Sequence, residues 1–406
     1  VKKPRWAMVF NRRYRRILTP ANQWLDDAVI GVENGRITRV QPYSDYLATG
    51  GEPLEMQPVS LMPGLIDSHI HGAMGFDVMD ASHEALDAIS AFLASQGVVA
   101  FLATTVTAPV DKIRAALRAV KHAMKDGVSG AAILGSYLEG PYFTALHRGA
   151  HPESFLRELD EIELEHWLSV ADGTLKCVAL APEKNDALKA IAYLKAHQVN
   201  VMLAHTSASY EQTVAALRAG ADGIVHCYNG MTGLHHREPG VVGAALCCDS
   251  AHIELIADGH HVHPAAAEVV WRCAANRMVL VSDAMRATGM PDGEYALGEL
   301  NVTMKAGVVR TENGGLAGST LTLNTAVSNL SQWFSLPFEK AWSLASMSPA
   351  TLLGVENDLG SLAPGKLASM VEWSDAGEVV ATWVAGNCVY RQTSAQHDSV
   401  LEAVCI

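Results

Sequence analysis

No uninterrupted apolar run in this chain approaches the roughly 18 to 20 residues a helix needs to span a bilayer, although 49% of its 406 residues are hydrophobic. A membrane-spanning role is excluded, and the apolar residues are left to build a large soluble core. Basic residues are scarce: 30 Lys and Arg against 43 Asp and Glu leave a formal charge of -13. That balance argues against nucleic acid or an anionic membrane as a partner, so an anionic substrate must be held by a local basic pocket. Cysteine is sparse and unpatterned. Cys177, Cys227, Cys247, Cys248, Cys273, Cys388 and Cys405 form no C-x-x-C pair, are odd in number and sit mostly among apolar neighbours. Buried, reduced thiols in a reducing compartment are expected. The basic N-terminus, VKKPRWAMVFNRRYRR, lacks the continuous apolar region and small-residue cleavage site of a secretory signal, so a cytoplasmic location is expected. There is no low-complexity tract.

What the chain does have is a rhythm. Short apolar, β-branched runs occur at 65–69, 99–106, 133–140, 177–183, 199–206, 223–229, 253–259 and 278–284. Between them lie stretches such as HEALDAISAFLASQG and DKIRAALRAVKHAMKDG, with apolar residues every three or four positions and a closing glycine, as helices prefer. Eight such alternations predict a (β/α)8 barrel, a fold of roughly 250 residues, which leaves room for an appendage. The flanks read as β structure. AVIGVENGRITRV carries an Asn34-Gly35 pair suited to a type I′ hairpin turn, and LASMVEW and VVATWVAGNCVY follow residue 357. Residues 1–60 and 357–406 are therefore assigned to one small β-sandwich made from both chain ends, and 61–356 to the barrel. Residues 294–320 break the rhythm and predict a β-rich excursion beside the barrel mouth.

Several of these strands begin apolar and end in a residue able to bind metal or move a proton, and barrel enzymes place their active sites at that end. In LIDSHIH, His69 and His71 are two residues apart on a strand and so share one face. Alone that pair is a weak signal. Glu139 in SYLEGPY, His205 in LAHTSAS and His226 in IVHCYNG each have an ordinary reading as a cap or a core residue. Together one carboxylate and two imidazoles supply three ligands and leave a position for water, the arrangement of catalytic zinc sites. Asp283, in LVSDAM, suits a helix cap, but beside such a water it is also placed to take a proton and return it to a leaving amine. Seven histidines fall from His226 to His263: those two with His235, His236, His252, His260 and His261. About half are expected to be incidental. With Arg237 of HHREPG they offer the donors needed to hold a phosphate, assisted by helix N-termini at the same rim. The pattern as a whole is that of a metal-dependent hydrolase.

The strings PGLIDSHIHG, LEGPY, LAHTSA, HCYNGMTGLHHREPG, IADGHHVHP, VSDAM, GGLAGSTL and GSLAPGK together resemble the N-acetylhexosamine-6-phosphate deacetylases of the amidohydrolase superfamily, over nearly the whole barrel and its return into the small domain. YLEGPYFT, GAHPESF and HCYNGMTGLHHREPG look most like the branch acting on N-acetylgalactosamine 6-phosphate, with the glucosamine branch as the alternative. The resemblance implies that Glu139, His205 and His226 hold a divalent metal, with zinc favoured over Fe, Mn or Co, and that Asp283 is the general base and acid. It implies that His151 polarises the acetamide carbonyl, and that Ala150, Asn229, Gly230, Arg237, His261, Leu316, Ala317 and Gly318 contact the phosphorylated amino sugar. Some members of the glucosamine branch lack the paired histidines and use one metal; this chain keeps His69 and His71, so one ion or two are expected. A homodimer is also implied, in which Arg237 and His261 act within one chain or across the interface. Two rival enzymes are disfavoured: cyclic-amide hydrolases use a bridging lysine on the fourth strand, where CVALAPE offers none, and base deaminases use a HAGE-like loop, absent here. A non-catalytic sugar-phosphate sensor is a more distant alternative.

Overall fold

The computed structural model describes residues 9–393. Near the N-terminus β1 (Val9–Leu18), β2 (Trp24–Glu33) and β3 (Arg36–Pro42) pair antiparallel. Asn34 and Gly35 take φ of 52° and 76° in the β2–β3 turn, the left-handed pair a type I′ turn requires. β4 (Met56–Pro63) runs parallel to β1 and leads into the barrel.

Eight parallel strands follow: β5 (Leu65–Ile70), β6 (Val98–Thr104), β7 (Ala132–Glu139), β8 (Leu175–Leu180), β9 (Asn200–Leu203), β10 (Gly223–Ile224), β11 (His252–Leu255) and β12 (Met278–Leu280). They are hydrogen-bonded in sequence order, and each is followed by a helix, as the rhythm predicted. Nearly all their residues are buried, because the inward face fills the barrel and the outward face meets the helices. The helix Val110–Asp126 shows the complement: Ile113, Ala116, Leu117, Val120 and Ala123 are buried along one stripe. The barrel closes between β12 and β5 at two levels. At the bottom the Leu344–Ala345 segment is wedged in, accepting from the Leu280 and Ile66 amides at 2.9 and 2.8 Å. At the mouth the Asp283 amide donates to the His69 carbonyl at 3.0 Å and the His71 amide to Ala284 at 2.9 Å.

After β12 the expected excursion forms a three-stranded antiparallel flap, β13 (Gly293–Leu297), β14 (Leu300–Lys305) and β15 (Val308–Thr311). Met285, Leu297, Val302, Met304 and Val309 give it a small core, shared with Ala150 and Ala317. The chain then returns through β16 (Met370–Trp373), β17 (Val379–Val384) and β18 (Asn387–Arg391). These join the N-terminal strands in one continuous sheet, ordered β18-β17-β16-β4-β1-β2-β3. The sheet folds over on itself: the Ile37 amide donates to Lys366, and the Ala368 amide to Gly35. Inside it Glu372, 2% exposed, accepts from Tyr14 Oη at 2.9 Å and Trp383 Nε1 at 3.1 Å, as a buried carboxylate must.

The expectation of buried thiols needs correction. Cys177 and Cys227 are buried, but Cys247, Cys273 and Cys388 are exposed and Cys248 is partly so. Apolar neighbours in sequence are not neighbours on a helix face: Cys273 lies between Val270 and Ala274, which are buried, but faces solvent. No disulfide forms among the described cysteines, and Cys405 lies outside the described residues, as does the first half of the basic N-terminal segment. No helix among the described residues is long and apolar enough to cross a membrane.

Candidate active site

At the ends of the barrel strands the polar groups converge. His69 and His71, 0% and 3% exposed, turn their Nε2 atoms to within 3.3 Å of each other. Glu139, the last residue of β7, reaches the imidazoles on all sides. Its Oε1 lies 3.5 Å from His69, 3.6 Å from His205 and 3.3 Å from His226, and its Oε2 lies 3.2 Å from His71 and 3.6 Å from His151, all to Nε2. Asp283 Oδ1 stands 3.2 Å from His71 Nε2 and 3.6 Å from His69 Nε2. His205 and His226 bring their own Nε2 atoms within 3.2 Å.

The backbone is bent to achieve this. His205, His226 and Asp283 have φ of 44°, 28° and 48°, a left-handed conformation that non-glycine residues adopt only when their surroundings hold them in it. The Asp283 amide donates to His69 and its carbonyl accepts from Ser319 at 2.7 Å, while the His205 carbonyl accepts from Thr144 at 3.0 Å. Gly230 (φ 60°) packs so closely on His205 that a Cβ there would lie 2.6 Å from His205 Nδ1; no other residue fits.

The second nitrogen of each imidazole decides what the first can do. His71 Nδ1 faces the Thr104 carbonyl at 3.2 Å, and His205 Nδ1 the His147 carbonyl at 2.9 Å. A carbonyl only accepts, so both Nδ1 atoms carry the proton and, in the neutral ring, both Nε2 atoms present a lone pair. His69 Nδ1 lies 3.2 Å from Glu254 Oε2, with the same consequence. His151 is the reverse: its Nδ1 accepts from the Thr107 amide at 3.3 Å, with Thr107 Oγ1 at 2.9 Å, so its Nε2 bears the hydrogen. Glu254 and Thr107 are absent from the sequence-based set. A carboxylate inside the apolar run IELIADG is the signal that could have found Glu254; nothing local marks Thr107. Glu183, at the end of CVALAPE, was likewise missed: it binds Thr144 and Thr206 through their hydroxyls and accepts from the Ser207 amide at 2.6 Å, tying together the loops that flank His205.

The electrostatics favour positive charge at the centre. Burial opposes ionisation of Glu139, but the imidazoles, His69 first, hold its carboxyl well below the usual range. Burial likewise opposes a charged His71, yet hydrogen bonds to Asp283 and Glu139 outweigh it and push that imidazole up to about 10. Asp283 is raised by burial but held down to about 2 by its hydrogen bond to His71 and the charges of His69 and His71. His151 differs: burial, then the neighbouring His205, drive it well below its usual value, so it is neutral. Buried lone pairs aimed at one another between two carboxylates are a donor set for a divalent ion. His69, His71 and Asp283 converge in one group, and Glu139, His151 and His205 in another, with His226 beside the second; His151, its Nε2 bearing the hydrogen, stands in that group as a donor and not as a ligand. His226 Nδ1 is buried without a hydrogen-bond partner.

Above these groups lies a cavity of about 300 Å³. Of the residues expected to contact substrate, Ala150, Asn229, Gly230, His261, Leu316 and Gly318 are on its wall. His261 is oriented by Asp258, whose Oδ2 is 2.6 Å from its Nδ1. Two further residues expected at the substrate lie off this wall in the single chain. Ala317 is 1% exposed and packs into the flap core behind the wall, since neighbours on an extended segment face opposite ways. Arg237 is exposed and off the wall, its Nη1 donating to His236 Nε2 at 2.8 Å. Val106 and Leu297, which were not anticipated, are on the wall.

The sequence profile of the amidohydrolase family matches residues 60–389. The N-acetylglucosamine-6-phosphate deacetylase of Vibrio furnissii is 56% identical over 395 residues, covering 97% of this chain and 98% of the relative. The N-acetylgalactosamine-6-phosphate deacetylase of Escherichia coli O157:H7 is 49% identical over 374 residues, covering 92% and 97%. Among solved structures, a variant of the N-acetyl-D-glucosamine-6-phosphate deacetylase of Mycobacterium smegmatis, in complex with N-acetyl-D-glucosamine-6-phosphate, superposes with a TM-score of 0.87 at 30% identity, covering 94% of this chain and all of that one.

Proposed function

The chain belongs to the amidohydrolase family, and on that footing we propose that it hydrolyses the acetamide of an N-acetylhexosamine 6-phosphate to the free amino sugar phosphate and acetate, a step of amino-sugar catabolism. The observation that carries this reading is Glu139, within 3.6 Å of five imidazoles at the mouth of the barrel, in a chain matched from end to end by deacetylases. Asp283 takes a proton from the attacking water and returns it to the departing nitrogen. His151, a neutral ring with its hydrogen on Nε2, donates to the carbonyl oxygen as negative charge develops there. Asn229, Gly230, His261 and the Leu316 to Gly318 segment hold the sugar and its phosphate.

Glu139, His205 and His226 would hold a divalent ion, with His69 and His71 available for a second. Bound there, such an ion polarises the carbonyl and acidifies water. Zinc suits imidazole with carboxylate. Arg237, outside the cavity of its own chain, would reach the phosphate either by movement of its own loop or from a second copy in a homodimer, and the acidity of the protein makes such a local cation valuable. A phosphorylated sugar is confined to the cell interior, in keeping with a cytoplasmic enzyme.

The galacto 6-phosphate is the favoured substrate, from YLEGPYFT, GAHPESF and HCYNGMTGLHHREPG. The gluco epimer is the second reading, since the 56% identical relative bears that name. Parallel kcat/KM measurements on both epimers, with metal content determined on the same preparation, test the proposal. Hydrolysis of neither would refute the deacetylase reading.

A further inference from the structure

The cavity wall is chemically divided. Of the residues expected to hold sugar and phosphate, Asn229 and Gly230, His261, and Leu316 and Gly318 follow the sixth, seventh and eighth barrel strands, while Ala150 follows the third. Across the mouth, after the second strand, stands Val106, and against it the flap tip Leu297. Both side chains are apolar and almost fully buried, 2% and 4% exposed, yet both reach the cavity. Neither binds a proton or an ion, and neither is used by the chemistry proposed above.

Their position follows from the chain. Val106 sits between Thr104, whose carbonyl orients His71, and Thr107, which orients His151 at 2.9 and 3.3 Å. Leu297 shares the flap core with Ala150, the residue before His151. Both therefore sit one chain neighbour away from residues that hold the imidazole assigned to the acetamide oxygen, and line the same cavity as it does. An amide is planar, with oxygen, nitrogen and acyl carbon spread about the carbonyl carbon. If the oxygen meets His151 and the nitrogen leads back to the sugar on the far rim, the acyl methyl falls on the Val106 and Leu297 side.

That corner has no slack. Gly298 (φ +53°) lies so near Val106 that a Cβ on it would be 2.8 Å from Val106 Cγ1. Beyond it Glu299 pairs with Lys112 at 2.6 Å, so the flap tip is seated on the barrel at both residues. Leu297 is held at this corner chiefly by the close Gly298–Val106 approach, and close-packed apolar walls give little.

We propose that Val106 and Leu297 gauge the length of the N-acyl group, admitting acetyl and rejecting propionyl and longer chains. This rests on the deacetylase reading and adds the acyl specificity of that site. The test is kcat/KM on N-formyl, N-acetyl, N-propionyl and N-butyryl hexosamine 6-phosphates, for the native enzyme, Val106→Ala, Leu297→Ala and Val106→Ile. The native enzyme should prefer acetyl over propionyl by ~10-fold or more, the discrimination one methylene commonly carries in an apolar pocket. Each alanine variant should move that ratio toward propionyl by about the same factor, and Val106→Ile should move the acetyl to formyl ratio toward formyl. The opposite directions protect the result against a variant that is merely destabilised, because a general loss lowers all rates and leaves their ratios unchanged. Acetyl hydrolysis with ratios that stay at the native values in all three variants overturns the gauge alone. No hydrolysis of any acyl derivative by the native enzyme overturns the deacetylase reading, and the gauge with it.

Discussion

A neutral imidazole donates one hydrogen bond and accepts one, so the partner of its inner nitrogen dictates the work of its outer one. At His151 the inner nitrogen accepts from the Thr107 amide, and the outer one is left as a donor to an oxyanion. Replacing it with alanine should lower kcat by ~10²–10³-fold, the usual cost of an oxyanion donor, with a smaller change in KM. Native kcat in that variant would remove the assigned role. Asp283 is held ionised, down to about 2, by His71 and His69 against the pull of burial, as a proton acceptor at neutral pH must be. Asp283→Asn should retain metal and lose turnover by ~10²–10⁴-fold, measured as metal content and kcat on one sample. His71 brings a pH dependence. Its imidazole, pushed up to about 10 by the carboxylates, must release its proton before its lone pair can bind an ion, so apparent affinity rises with pH throughout the range below about 10. Chelator competition at pH 6.5, 7.5 and 8.5 should show tightening of up to ~10-fold per unit for each proton displaced. A flat profile would mean that no protonated imidazole contributes to the binding site.

Elements deliver these residues, and here the strands were more legible than their ends. Every predicted barrel strand exists, but several stop short of the ends read for them, among them those leading to His205, His226 and Asp283. Residues 223–229 form only Gly223–Ile224 as a strand, and 199–206 only Asn200–Leu203. The apolar character continues, but the chain leaves the ladder as it kinks into left-handed φ at His205 and His226, which periodicity does not register. β11 carries the carboxylate that sets His69: Glu254 Oε2 faces its Nδ1 at 3.2 Å, inside a 1% exposed residue. Such outer partners of metal-binding histidines are commonly worth ~10–100-fold in affinity. Glu254→Gln should weaken divalent-ion binding by about that factor while circular dichroism shows an intact fold. Unchanged affinity would reduce Glu254 to a packing residue.

At the scale of the molecule, the exposed Arg237 lies off the cavity of its own chain. If a second copy supplies it, co-expression of Arg237→Ala with Asp283→Asn should restore activity that each variant lacks alone. Mixed dimers then contain one complete site, and roughly a quarter of native activity is expected from random pairing of a symmetric dimer. No recovery in verified mixed dimers would place Arg237 at the site of its own chain, and native activity of Arg237→Ala alone would place it outside the reaction. The sequence by itself determined the barrel, the β structure drawn from both chain ends and the β-rich excursion, and it marked Glu139, His69, His71, His205, His226 and Asp283 as candidates that the fold brings together. It could do so because strand alternation and the clustering of metal-type residues at strand ends are local patterns, read within a few residues. Only the tertiary structure decided that the hydrogen of a neutral His151 sits on Nε2, that Glu254 stands behind His69 across a separation of 185 residues, that Ala317 hides behind the cavity wall, and that Val106 meets the flap at Gly298. Those are hydrogen bonds and van der Waals contacts between segments distant in the chain, and the closing of the barrel is what creates them.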